Sequence, residues 1–252
     1  MTSFLTYRGP PPDITHGSPF ASSPFVPASG APGFDGDRAW NKGFDTASDG
    51  SNSPDRRGVQ LLGRKESTRV VLETSLAIAL RSHLPPRARL PRSWTLLFSI
   101  DQHGISLHTL YARCGAHAGG ALLVIRTADD RCFGAWVADG IREGHGSYIG
   151  SGESFLWKVI GDGDKVRVFK WTGKNDYVAL CEPESISFGG GDGHYGLYLD
   201  ETLYEGSSAH CPTFNNDPLC TSDPSPGDGG SNCGTATFEC VGLEVWGVGL
   251  LS

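Results

Sequence analysis

The chain has 252 residues, seven cysteines and a formal net charge of −7 at pH 7. Its length suits one large domain or two small ones, and its acidity argues against nucleic acid as a partner because phosphate backbones would be repelled. Seven thiols with no CxxC pair do not fit a secreted disulfide framework, so we predict reduced cysteines in a cytoplasmic protein.

The first 60 residues predict a disordered tail. Gly, Pro and Ser supply 24 of them, and the aromatic residues there, including a weak docking motif at residues 40–44, follow no helix or strand period. Such a segment buries too little apolar surface to offset the entropy lost on ordering. Its start resembles neither a secretion signal nor a mitochondrial presequence, and no apolar run in the chain approaches the ~20 residues of a membrane-spanning helix. We therefore expect a tail at 1–60, one domain at 61–252 and no transmembrane segment.

The segment after the tail predicts two short helices and a strand between them. A first helix would be capped by Ser67 or Thr68 and would carry leucines every four residues until Pro85 ends it. Residues 95–100 read as a strand, and a second helix would start at Ser106. Basic side chains outnumber acidic ones by seven to two within residues 64–92, whereas twenty acidic residues face nine basic ones from residue 93 onward. The body of the domain is therefore strongly acidic.

From about residue 120 onward the pattern changes to β periodicity. Short apolar runs bounded by turn residues recur, among them FLWKVI, VRVFKW, SISF and FECVGLEVWGV. Many short strands after initial helices favour an antiparallel sandwich. We predict an α+β fold that is mainly β, an antiparallel two-sheet β-sandwich flanked by a few short helices. Residues 221–235, rich in Gly, Ser, Asp and Pro, predict a mobile inserted loop.

A set of short motifs occurs in order along this domain. They are HGISL at 103–107, FGA at 133–135, GSGESFL at 150–156, WTGKN at 171–175, TFNN at 213–216 and EVW at 244–246. Together these motifs resemble the TLDc domain, the module of the oxidation-resistance protein family, over residues 61–252.

The resemblance implies a β-sandwich with edge helices and a role in protection against oxidative damage. It also implies binding to the peripheral sector of the vacuolar-type proton-pumping ATPase, whose disassembly the domain would favour. No catalytic cycle and no cofactor come with the resemblance. We therefore expect a monomeric, non-catalytic interaction module at the vacuolar membrane surface, with the mitochondrion as the alternative location that the family association suggests. An antioxidant enzyme or scavenger based on thiols or carboxylates is the alternative function.

The glycine–acid segment holds the first candidate structural or partner-binding residues. Gly150 and Gly152 would supply a positive φ or a close backbone approach where a strand begins. Glu153, followed by Ser154, either accepts hydrogen bonds from turn N–H groups or contacts a basic partner surface. We prefer the first interpretation.

Asn175, Glu244 and Trp246 complete that set of candidates. Asn175 belongs to the WTGKN motif, and the alternation of the last strand places Glu244 beside Trp246 on one face. A carboxylate in such aromatic surroundings is either an acid with a raised pKa or a hydrogen-bond acceptor with a structural role. We prefer the structural role.

Two cysteines are candidate redox thiols, and inert thiols are the alternative. Cys211 follows His210, whose charge would lower the pKa of a nearby thiol, and Cys233 lies in the predicted mobile loop. The spacing of the last four cysteines matches no zinc finger, so we predict no metal. Residues 191–196 fit GxGxxG, but a strand-like run follows them where a dinucleotide site requires a helix, so we predict a glycine corner.

Overall fold

A computed structural model describes residues 58–161, 165–221 and 234–249. Most of the predicted tail and of the predicted loop at 221–235 lies outside these ranges. The helices in these ranges lack the length and apolar character that a membrane-spanning helix requires. In chain order the elements are β1 (Gln60–Leu62), α1 (Thr74–Arg81), β2 (Ser93–Ser99), α2 (Ile100–His103), α3 (Leu107–Cys114), β3 (Gly120–Thr127), β4 (Cys132–Val137), β5 (Tyr148–Ile149), β6 (Phe155–Ile160), β7 (Lys165–Lys170), β8 (Ala179–Glu182), β9 (Ser185–Phe188), β10 (Leu197–Asp200), β11 (Glu205–Ser208) and β12 (Ala236–Val248).

The long strand β12 joins two sections of one sheet. Its N-terminal half pairs with β11, and its C-terminal half lies between β3 and β2. The hydrogen-bonded order is β5-β8-β9-β10-β11-β12-β3-β4-β6-β7, with β2 also on β12 and β1 on β2. Among the described strands only β1 and β2 pair in parallel. The first section therefore contains β1–β4, β6, β7 and the end of β12, and the second contains β5, β8–β11 and the start of β12.

The two sections pack against each other across the main hydrophobic core. Leu123, Phe133 and Leu156 of the first section belong to one buried cluster with Phe188 and Leu199 of the second. The mainly antiparallel α+β fold predicted from the sequence is thus confirmed. The sequence analysis predicted two sheets, whereas in the structure β12 continues from one section into the other and joins them into one sheet. The pairing of β12 with β3 shifts register between Cys240 and Gly242.

A second core covers the opposite face of the first section. Helix α1 and the segment before it contribute Leu72, Leu76 and Leu80, which pack on a layer of buried tryptophans from four strands. These are Trp94, Trp136, Trp157 and Trp246, each no more than 2% exposed. Burial of side chains this large supplies much of the hydrophobic stabilisation of the N-terminal segment on the sheet.

The structure corrects two expected boundaries near the N-terminus. Helix α1 begins at Thr74 after Glu73, whereas the predicted cap Thr68 is buried and its hydroxyl donates to Gln102 Oε1 at 3.0 Å. Ordered chain also begins before Leu61, because Val59 is only 4% exposed and β1 starts at Gln60. The cap predicted for the helix at Ser106 is confirmed, since its hydroxyl accepts from the Thr109 N–H at 3.2 Å.

Candidate functional site

Three motif loops and the glycine-rich turn after β9 come together at one end of the second sheet section. They are residues 150–154, 171–175, 189–191 and 213–216, and we call them the loop cluster. The indole N–H of Trp171 donates to the Asn175 carbonyl at 2.7 Å, and the N–H of Thr172 donates to the Thr213 carbonyl at 2.9 Å. Motifs that are far apart in the sequence therefore form one compact substructure.

Gly150 and Gly152 are required by close packing in this cluster. Gly150 has φ +105°, and an added Cβ would lie 2.5 Å from Val178 Cγ1. Gly152 does not need a positive φ, but a Cβ there would lie 2.6 Å from Cε3 of Trp171. A real carbon atom does not fit at either distance, which confirms the predicted close approach at both glycines.

Asn175 and Thr213 form the polar centre of the loop cluster. The Thr213 hydroxyl accepts from the Gly190 N–H at 2.9 Å and donates to Asn175 Oδ1 at 2.7 Å. The Asn175 amide donates to the Gly190 carbonyl at 3.2 Å, and its Oδ1 also accepts from the Tyr177 N–H. These bonds satisfy buried backbone groups of a glycine-rich turn. Asn175 therefore holds this turn in place, and Thr213, the first residue of the TFNN motif, is a member of the network that was not among the predicted site residues.

The glycine-rich turn is a corner and not a nucleotide-binding loop. Gly189, Gly191 and Gly193 all have positive φ, and the chain enters strand β10 at Leu197. The predicted glycine corner is confirmed, because a phosphate site of the GxGxxG type needs a helix N-terminus after the turn.

Cys211 lies beneath this corner, and its environment corrects the expectation of a lowered pKa. The side chain is fully buried and its Sγ donates to Asn216 Oδ1 at 3.1 Å. Burial is the largest cause of its shift and raises the pKa of the thiol above its ordinary value. His210 does not reverse this, because it lies on the exposed side, where its ring contacts Asn215. A neutral, enclosed thiol is a poor nucleophile. Cys233 lies outside the described residues.

Glu153 differs from the expectation that its carboxylate caps the turn. Within the described ranges no donor reaches this exposed carboxylate, and the turn is closed by the Ser154 N–H, which donates to the Ser151 carbonyl at 2.9 Å. Ser154 itself is buried, and its hydroxyl accepts from the Ala138 N–H at 3.2 Å. The turn is thus rigid on its inner side and presents one charge to solvent.

Glu244 and Trp246 lie away from the loop cluster, in the second core. The Glu244 side chain is fully buried and receives a two-pronged contact from Arg64, with Nε–Oε1 at 3.0 Å and Nη2–Oε2 at 2.8 Å. The N–H of Leu72 and the indole N–H of Trp246 donate to Oε2 at 2.9 and 3.0 Å. The structural role predicted for Glu244 fits these contacts, since all its acceptor positions are engaged.

These contacts fasten the N-terminal segment to the last strand, and we call them the Arg64–Glu244 clamp. Arg64 also lies over the Trp246 ring, with Cζ 4.9 Å from its centroid, and donates to the Leu72 carbonyl at 2.8 Å. The sequence analysis predicted a structural role for Glu244 but no cation as its partner, and the chain has seven basic residues between 64 and 92. Nothing in the local pattern selected Arg64 among them.

The polar groups in these two places hold backbone and side chains of the fold. The loop cluster uses its amides and hydroxyls to hold turns, and the clamp uses its carboxylate to hold a guanidinium and N–H groups. Within residues 58–161, 165–221 and 234–249, no group of three His, Cys, Asp or Glu side chains is placed to hold a metal ion. Glu153 is an exposed carboxylate of the loop cluster.

Comparison with known proteins gives a consistent result. The pattern of the family described as "TLDc domain" matches residues 65–249. "Oxidation resistance protein 1" of Cryptococcus neoformans is 45% identical over 246 residues, which is 94% of this chain and 50% of that protein. The proteins of the same name from Yarrowia lipolytica and Saccharomyces cerevisiae are 39% and 32% identical, each over 76% of this chain and 80% and 78% of their own lengths.

The chain spans about half the length of the Cryptococcus relative, and most of the lengths of the two yeast proteins. Of the elements in the described ranges, the matched residues contain the three helices and every strand after β1. They also contain the loop cluster and, apart from Arg64, the Arg64–Glu244 clamp. The chain belongs to the TLDc domain family.

Proposed function

We propose that this chain protects against oxidative damage as a non-catalytic interaction module, by binding the peripheral sector of the vacuolar-type proton-pumping ATPase and favouring its disassembly. The name of its relatives, oxidation resistance protein 1, supports the process. The pump is the partner that the family resemblance implies. In this proposal the chain acts at the cytosolic surface of the vacuolar membrane, and imaging a tagged chain distinguishes that location from the mitochondrion.

The observation that carries the proposal is the presentation of Glu153. Its carboxylate is exposed, while Gly150, Gly152 and Ser154 on either side are held against Val178, Trp171 and the Ala138 N–H. A charge on a preorganised turn forms an interfacial ion pair with little loss of conformational entropy. Such a turn is suited to recognition of a basic protein surface.

Purification of the tagged full chain under native conditions, from cells in which the pump is abundant, tests this function. We expect the parent chain to recover subunits of the peripheral sector. Glu153→Lys should reduce recovery by about tenfold, because reversal of a rim charge lowers the association rate and adds repulsion. Glu66→Lys is the matched control, since Glu66 is also exposed.

Two outcomes would contradict the proposal. Failure of the parent chain to recover any pump subunit would remove the pump as partner. Equal recovery by the parent and Glu153→Lys, with equal melting temperatures, would remove the turn as the contact. For the scavenger alternative, a variant with all seven cysteines replaced by alanine that folds and still protects peroxide-treated cells would exclude thiol chemistry.

A further inference from the structure

The second sheet section has a face that no described element covers. Side chains of Tyr198, Ser207 and Thr237 lie in one cross-strand row on β10, β11 and β12, while their neighbours Leu199 and Gly206 are buried. Helix α2 contacts only the later part of β12, around Val241–Leu243, and not the part of the strand that pairs with β11. Together with the turn that follows β3, this face bounds an open cleft of about 810 Å³. Its size lies within the range of about 300–1,000 Å³ that is usual for ligand sites.

The cleft is lined by acidic side chains that repel one another. Glu205 and Glu239 are directly opposite in the β11–β12 register. On its other side, Glu205 lies opposite Asp200, because β10 and β11 are antiparallel and the preceding pair in their register is Leu199 and Gly206. Asp129 lines the cleft from the turn that follows β3. Cross-strand neighbours are about 5 Å apart, and like charges at that separation destabilise a sheet.

The ion pairs found within the described ranges involve carboxylates other than those of the cleft. These carboxylates belong to Glu244, Glu73, Asp130 and Asp217. The Asp200 carboxylate accepts from the Thr202 hydroxyl at 2.8 Å, and Glu239 contacts the hydroxyl of Tyr204. Hydrogen bonds from hydroxyl groups leave the negative charge in place. The face is therefore complementary to a cationic occupant.

The same cleft contains an aromatic platform. Tyr198 lines it, and its ring stacks on Tyr195 with centroids 5.7 Å apart. Aromatic faces attract cations, and the planar guanidinium of arginine stacks on them better than the compact ammonium of lysine. Carboxylates also bind guanidinium groups in pairs of parallel hydrogen bonds.

We propose that this cleft docks an extended segment of a partner protein that carries arginine at alternate positions. Asp200, Glu205 and Glu239 lie on three neighbouring strands, so the row that they form is roughly 10 Å long. Alternate side chains of an extended segment are about 7 Å apart, so two arginines of such a segment fit along this row. A metal ion fits less well, because among the described residues no three ligating side chains converge. Nucleic acid and acidic lipid are repelled by the same charges. This inference does not depend on the pump as partner.

Binding of a fluorescent peptide of alternating arginine and serine to the full chain tests the proposal. We expect saturable binding that weakens as salt is raised, and weaker binding of the corresponding lysine peptide. The variant Glu205→Gln/Glu239→Gln should lose about tenfold or more in affinity. It should also melt at an equal or higher temperature than the parent, because it removes a like-charge pair. Substitution of residues with only a structural role would not lower peptide affinity while leaving the melting temperature equal or higher.

The matched control is Asp139→Asn/Glu143→Gln, which removes the same charge at two sites outside the cleft. It should bind the peptide like the parent. Absent binding to the parent, equal loss in both double variants, or a lower melting temperature of the cleft variant would overturn the proposal. Equal affinity for the arginine and lysine peptides would overturn the assignment of arginine.

Discussion

Two carboxylates of strand β12 are treated in opposite ways by the rest of the molecule. Glu244 is fully buried and meets a guanidinium, two backbone N–H groups and an indole N–H. Glu239, nearer the start of the same strand, is exposed and faces another acid across the ladder. The first arrangement holds the fold together, and the second opposes it. A charge that the fold satisfies is structural, whereas a charge that the fold leaves opposed by like charges is available for a partner.

Removing the cation of the Arg64–Glu244 clamp should have the largest effect on the stability of the fold. Arg64→Leu leaves the Glu244 carboxylate buried without its counter-ion, the situation that a protein interior tolerates least. We expect a loss of about 3–5 kcal/mol in the free energy of unfolding, measured by urea denaturation. Arg69→Leu is the control, since Arg69 is exposed and its side chain is in none of the ion pairs of the described ranges. That change should stay within about 0.5 kcal/mol. Similar small losses in both variants would show that the clamp is not structural.

A second substitution asks whether the loop cluster is specified as tightly as the clamp. Gly150→Ala places a methyl group on Val178 at a residue with φ +105°, so packing strain of about 1–3 kcal/mol should add to the backbone penalty. Gly146→Ala separates the two effects, because Gly146 has φ +84° and nothing within 4 Å of the added carbon. It should cost only about 1 kcal/mol. Equal thermal denaturation of the two variants would mean that Val178 moves aside and the turn is not rigid.

The buried thiols extend the comparison to a group that is neutral in the folded chain. Burial raises the pKa of Cys114 and Cys240 from 9.0 to about 12. Below pH 9.0 these thiols are neutral in both the folded and the unfolded chain, and they do not lower the free energy of unfolding. Between pH 9.0 and 12 the thiols of the unfolded chain lose their protons while the buried ones keep theirs, so the free energy of unfolding falls as pH rises. Each thiol should steepen the decline by about 1.4 kcal/mol per pH unit in that window.

Urea denaturation at a series of alkaline pH values measures this slope. Cys114→Ala/Cys240→Ala should flatten it by about twice the contribution of one thiol. Ser147→Ala, which removes no titratable group, should leave the slope of the parent unchanged. A slope that does not respond to the double cysteine variant would show that these thiols are accessible to water in the folded chain.

The sequence patterns correctly predicted strands, a helix cap and turn glycines, which depend on residues that are close together in the chain. The strands FLWKVI and SISF are β6 and β9 without change, and Ser106 caps α3 as expected. Gly150 and Gly152 were identified for the right reason, although only the structure shows that Val178 and Trp171 are the groups that approach them.

Features that depend on distant contacts were missed or misread. Arg64 and Glu244 are 180 residues apart in the sequence, and the pairing follows from docking of the N-terminal segment on the sheet. Cys211 was read from its neighbour His210, but its pKa follows from burial beneath the glycine corner. The acidic cleft depends on strand register, since Glu205 and Glu239 become opposite only when β11 and β12 pair.

The central position of β12 also has a consequence for the order of folding during synthesis. The strand occupies residues 236–248, yet it lies between strands that are made much earlier, and the segment around Arg64 docks on it. The N-terminal segment must therefore wait for almost the whole domain before it finds its partner. Folds rich in such distant pairings form slowly and expose unpaired strand edges while they wait. A chain that stops before residue 236 would lack the strand that both sheet sections share, and would be a substrate for chaperones and proteases rather than a shorter working domain.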